Sequence, residues 1–153
     1  MIKENNWIFR THHKQDVMRK ILSHQPYHQA ITLAAVRILI GISIAYHGWE
    51  VFNAAKMEEY SKWMADLDFP LPFIASYTGK GSEFVSGILL VAGLFTRPAS
   101  FLLIVTMSFV TFGMGHGRIL MEDQHPFLFV LFGFMFLFLG AGDFSLDKKL
   151  FNK

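Results

Sequence analysis

Apolar positions fall into four long runs, and the polar stretches between them differ in kind. The first run covers residues 31–52, ITLAAVRILIGISIAYHGWEVF. At about 1.5 Å of rise per residue a helix there reaches roughly 33 Å, close to the thickness of a bilayer's hydrocarbon core. A second run covers about 73–95, and a third covers 98–119 from Pro98, a favoured first helical position. The fourth, about 126–142, opens PFLFVLFGFMFLFLGAG and is short for a span unless its ends dip into the interface. Residues 53–72 are too polar to span, yet Met57, Tyr60, Met64 and Leu67 recur at helical spacing with Trp63 beside them. That spacing predicts an interfacial amphipathic helix, closed by Pro70 and Pro72 of FPLPF. The link Thr96-Arg97-Pro98 predicts a tight helical hairpin, and Glu122-Asp123-Gln124-His125 a short polar turn. The expected fold is all-α: an integral membrane four-helix bundle over 31–150, preceded by a basic tail, 1–30, and followed by the C-terminal end, 151–153.

Composition agrees with a membrane protein. The chain has 153 residues, enough for one domain; 52% are hydrophobic, 17% charged and 17 are Phe. Cysteine is absent, which excludes disulfides, thiolate catalysis and Cys-ligated metals within this chain. A net charge of +2 makes no case for nucleic acid. The tail lacks the apolar core of a secretory signal. Its Val17, Met18, Ile21 and Leu22 suit one face of a basic helix lying on a membrane, and a basic tail without fixed structure is the alternative.

Lys and Arg sort by side. Lys3, Arg10, Lys14, Arg19, Lys20, Arg97, Lys148, Lys149 and Lys153 fall on one side of the four runs. Lys56, Lys62 and Arg118 fall on the other, among Glu58, Glu59, Asp66 and Asp68. Positive charge concentrates on cytoplasmic segments, so both termini are expected in the cytoplasm and the protein in the cell membrane.

Ionisable groups within the runs carry the candidate chemistry. They are Arg37, His47 and Glu50 in the first, Lys80 and Glu83 in the second, and His116 in the third. Each costs roughly 2.5–3.5 kcal/mol at a bilayer centre, so such groups face a partner or water. Arg37 lies near enough to the inner end to snorkel partly. The others gather in the outer half, where Lys80 and Glu83 lie roughly 10–15 Å below the surface. Gly79, Glu83 and Gly87 share a stripe that Leu90 and Gly93 continue, and Gly41, Ala45 and Gly48 form a small-residue seam on the first run. Small residues let helices approach closely in lipid, so Glu83 is expected to point into the bundle. There it serves either as an interhelical pin or as a functional group.

These residues resemble the DoxX family of small membrane proteins. The likeness rests on Arg37 with Gly41 and His47-Gly48, then Glu83-x-x-x-Gly87 with Leu90 and Gly93. It continues through Thr96-Arg97 to the closing GAGDFSLD, residues 140–147. The resemblance implies four helices, a bacterial or archaeal cytoplasmic membrane and a redox setting. Some members are subunits of thiosulfate:quinone oxidoreductases or partner soluble redox enzymes. The closing motif also reads physically as an anchor: Asp143, Ser145 and Asp147 cap a short segment, and Lys148 and Lys149 meet anionic headgroups.

The expected function is thus a membrane subunit of an oxidoreductase system, not a self-sufficient enzyme. It would bind a quinone or another lipophilic ligand among His47, Glu83, His116, Lys80, Glu50 and Arg37. No metal site is expected, and haem between His47 and His116 ranks below quinone. The bilayer and redox proteins are the expected partners, with self-association open. The non-enzymatic alternative is a scaffold holding soluble redox proteins at the membrane through the basic tail and the interfacial helix.

Overall fold

A computed structural model describes residues 28–151; most of the basic tail and the last two residues lie outside that range. Among the described residues there are six α-helices and no strand. Helix α1 spans Gln29–Gly48 and tightens into a 3-10 turn, Trp49–Phe52; α2 spans Ala54–Asp66 and α3 Pro72–Ala92. Helix α4, Thr96–Ser108, widens into a π-helix over Phe109–Met114; α5 is Gln124–Leu139 and α6 Leu146–Phe151. Two segments are long and apolar enough to cross a membrane, Gln29–Phe52 and Thr96–Met114. Helix α5 is as apolar but shorter, and α3 has the length but carries Lys80 and Glu83.

Helix α1 packs mainly on α3, and α5 on α4; α3 and α4 adjoin through their hairpin, and α2 lies against α3. The α1–α3 seam is backbone against backbone. A Cβ at Gly41 would lie 2.8 Å from the Val91 nitrogen and 2.9 Å from the Gly87 carbonyl oxygen. At Gly48 it would strike the backbone of Phe84, and at Gly87 that of Ala45. The small residues are therefore a steric condition of this contact. Gly79 and Gly81 differ, since nothing lies within 4 Å of a Cβ there. Helix α5 crosses α4 at Gly133, against Ile104, with Phe129, Val130 and Phe136 buried on the same face. Ile44, Leu90, Leu103 and Met107 complete the core, while Leu39, Tyr46, Phe101 and Phe138 stay exposed, as a lipid-facing surface would require.

At one end, Arg37 organises the turn between α3 and α4. Helix α3 stops at Gly93 (φ 63°), where Gly93 N–H bonds the Leu90 carbonyl and Leu94 N–H the Leu89 carbonyl. This is a glycine-terminated cap with a left-handed residue. The last carbonyls of any helix lack intrahelical donors. Arg37 supplies them: its guanidinium donates to the Leu90 carbonyl, to Val91 O at 3.2 Å and to Phe144 O at 2.7 Å. The residue is 1% exposed, so it does not snorkel. Asp147 completes the corner, its carboxylate accepting from Phe95 N–H (2.7 Å) and Thr96 N–H (2.9 Å) at the start of α4. Ser145 caps α6 by accepting from Lys148 N–H at 3.2 Å. The GAGDFSLD motif thus anchors to the chain itself, tying α1, α3 and α4 together.

Candidate functional site

The opposite end gathers an ionic cluster from four helical segments. Helix α1 ends at His47 and Gly48, and the following 3-10 turn carries Glu50. Lys80 and Glu83 lie one turn apart on α3, and α2 brings Tyr60. Lys80 Nζ lies 3.1 Å from Glu50 Oε2 and 3.1 Å from Glu83 Oε2, and donates to the His47 carbonyl at 3.4 Å. An ammonium has three donors, and these acceptors take all of them. Tyr60 donates its hydroxyl to Glu50 Oε2 at 2.6 Å, and its ring centroid lies 4.9 Å from Lys80 Nζ, within cation–π range. Burial, then the hydrogen bond to Glu50, pushes Tyr60 up to about 12.

Exposure falls steadily inward across the cluster: side chains of Glu50, Lys80 and Glu83 are 33%, 16% and 6% exposed. A buried pair holds only when its geometry is good and each charge is partnered. One ammonium here serves two carboxylates, so with both ionised the cluster carries one negative charge in excess. Glu83 spends Oε2 on Lys80, and its Oε1 has no hydrogen-bond partner among the described residues.

Beside Glu83 opens a cavity of about 130 Å³. Its polar wall is His47, Lys80, Glu83 and His125, and Ile44, Met107 and Phe129 contribute to the apolar one. The rings of His47 and His125 meet edge to face with centroids 5.3 Å apart, and Phe129 lies 4.9 Å from His125. The π-helix supplies Val110 to this cavity. Such widened turns are rare and concentrate at functional sites. Thr111 steadies this one by donating to the Met107 carbonyl at 2.7 Å.

Of the six residues singled out in the sequence, His47, Glu50, Lys80 and Glu83 come together here. Arg37 and His116 do not join them. Arg37 lies at the far end, engaged with backbone carbonyls. His116 is exposed, its backbone N–H donating to Asp123 Oδ2 at 3.0 Å. The reason is local: the π-helix ends at Gly115, so the chain leaves the helical register that would have turned His116 inward. His125, at the start of α5, faces His47 in its place. The sequence pattern puts Tyr60 on the apolar face of α2 and His125 in a polar turn just beyond the outer level, and neither position by itself marks a place in the cluster. No group of three or more His, Asp or Glu suited to a metal occurs among the described residues.

The fold is all-helical among the described residues, with two apolar segments long enough to cross a membrane and a buried ionic cluster. This chain belongs to the DoxX family, whose model matches residues 32–116. That match includes the cluster and stops before His125 and the closing motif. The chain is also similar to a protein of Haemophilus influenzae described as uncharacterized. The two are 29% identical over 152 residues, which covers 89% of this chain and 100% of the relative. No solved structure matches the chain.

Proposed function

We propose that the chain is a multi-pass membrane subunit of an oxidoreductase system that takes the ring head of a quinone-class carrier in the His47–Glu83–His125 cavity. In this arrangement α1, α3, α4 and α5 cross the cytoplasmic membrane. Both termini are cytoplasmic, and α2 lies on the outer surface. The observation that carries the reading is the cavity itself, polar on one wall and apolar on the other, at about 130 Å³. A dry protein cavity of roughly 150 Å³ holds one benzene ring. At about 130 Å³ the cavity is a little smaller than that, so it takes one carbonyl edge of a quinone ring head, and the rest of the ring and the isoprenoid tail would lie between the helices toward lipid.

The roles follow from the hydrogen-bond inventory. Lys80 has no free donor, so the imidazoles of His47 and His125 are the groups available to a carbonyl oxygen. Glu83 Oε1, unpartnered at the cavity, is placed to exchange a proton with that oxygen. The falling exposure from Glu50 through Lys80 to Glu83 supports a proton path from the α2 face. Reduction of a quinone to a quinol takes two electrons and two protons. A redox partner supplies the electrons, and this chain handles protons at Glu83.

The test uses the purified full chain in detergent with a short-tailed ubiquinone analogue, with binding followed by tryptophan fluorescence. Glu83→Gln is expected to keep helicity and weaken binding of the reduced analogue, the quinol, about tenfold: its hydroxyl donates to the charged carboxylate, and hydrogen bonds to charged groups contribute roughly 1.5–3 kcal/mol. A variant that binds like the parent but unfolds several degrees earlier would make Glu83 an interhelical pin and sink the proposal. Stoichiometric soluble partners on a bundle that binds no analogue would instead establish the scaffold.

A further inference from the structure

The corner at the Arg37 end also borders a cleft of about 690 Å³ between the start of α4 and residues 139–151. This volume lies within the usual range for small-molecule sites, roughly 300–1,000 Å³. Its charges are Arg97, Lys148, Asp143 and Asp147. Asp147 is committed to the Phe95 and Thr96 N–H groups, so the amino end of α4 already has its anion. Lys148 is committed to Asp143 at 2.5 Å. Arg97 is left over: exposed, with no ion pair or hydrogen bond among the described residues.

The rest of the cleft is apolar: Phe95, Leu139 and Phe151 are each more than half exposed. A free guanidinium and an apolar flank together describe a receptor for an amphiphilic anion.

We infer that this cleft binds one anionic phospholipid, its phosphate on Arg97 and its acyl chains along Phe95, Leu139 and Phe151. The guanidinium suits the task because its planar fork meets two phosphate oxygens at once. The position suits it too. The α3–α4 hairpin lies at the end of two apolar helices, level with the headgroups of a membrane they cross. Nothing in this site depends on the cavity at the other end.

The test is native mass spectrometry of the detergent-purified full chain with phosphatidylglycerol, with phosphatidylcholine of the same acyl chains, and with inorganic phosphate. One retained phosphatidylglycerol is expected, with phosphatidylcholine at least fivefold weaker. Arg97→Gln should weaken phosphatidylglycerol about tenfold while helicity and Tm stay unchanged, because Arg97 has no ion pair or hydrogen bond among the described residues to lose. Equal retention of both lipids, or full retention by Arg97→Gln, overturns the inference. Phosphate that displaces the lipid completely, and itself binds the parent but not Arg97→Gln, would make the site one for free phosphate and overturn the lipid assignment.

Discussion

At the scale of single residues, two cations are buried for different ends. Arg37 neutralises no carboxylate within ion-pair distance; it terminates backbone, donating to the carbonyls of Leu90, Val91 and Phe144. Arg37→Met keeps the apolar stem and removes every donor, leaving the Val91 and Phe144 carbonyls without this partner and the Leu90 carbonyl with Gly93 N–H alone. It should cost about 3 kcal/mol, read as a Tm lower by several degrees in detergent, with ring-head binding at the distant cavity unchanged. Lys80, by contrast, holds two carboxylates, and Tyr60 fixes the outer one. Tyr60 also sets a pH dependence. Its folded pKa, about 12, lies above the ordinary value of 10.0, so folding favours the protonated phenol. That contribution is complete below pH 10 and lost as pH rises toward about 12. Thermal unfolding followed across this window should show an alkaline loss of stability that shrinks in Tyr60→Phe. An equal loss in both proteins would place its origin elsewhere.

At the scale of elements, the glycines separate into two kinds. Gly87→Ala would drive a methyl into the backbone of Ala45 and force α1 and α3 apart. Overpacking of this kind costs about 1–3 kcal/mol, visible as a lower Tm. Gly79→Ala, on the same stripe with open space beside it, should be neutral or raise Tm, because alanine favours helix by up to ~1 kcal/mol. The stripe was legible in the sequence, since an i, i+4, i+8 repeat needs only the helical period. Which of its members touch a neighbour was not, because that depends on where two helix axes cross. The same limit explains the site. Glu83 turned inward and His47 beside it follow from period and depth. The exchange of His116 for His125 depends on a π-helix over Phe109–Met114, and one extra residue per turn leaves no signature in a hydropathy pattern. Tyr60 was legible as part of α2, but its hydroxyl contact with Glu50 arises only once α2 folds back on α3.

At the scale of the molecule, the proposed topology gives a direct test. The chain has no cysteine, so each single substitution introduces the sole thiol. Glu59→Cys on α2 and Glu122→Cys before α5 are exposed positions at the cluster end; Lys149→Cys on α6 is exposed at the other. With both termini cytoplasmic, a membrane-impermeant maleimide added to intact cells should label the first two almost fully and leave Lys149→Cys unlabelled until the cells are lysed. Labelling of Lys149→Cys in intact cells would reverse or abolish the proposed orientation.

The corner built by Arg37, Phe144 and Asp147 also has a consequence in time. Helix α1 leaves the ribosome first, yet the acceptor for one arm of Arg37 and the cap for α4 lie at residues 144 and 147, beyond α5. During synthesis a buried guanidinium and the open amino end of α4 must wait for nearly all of the described helices to emerge. The last stretch to arrive acts as a latch on the first. A chain stalled or cut after α5 would hold its helices without that latch, with one arm of Arg37 lacking its acceptor and the amino end of α4 uncapped.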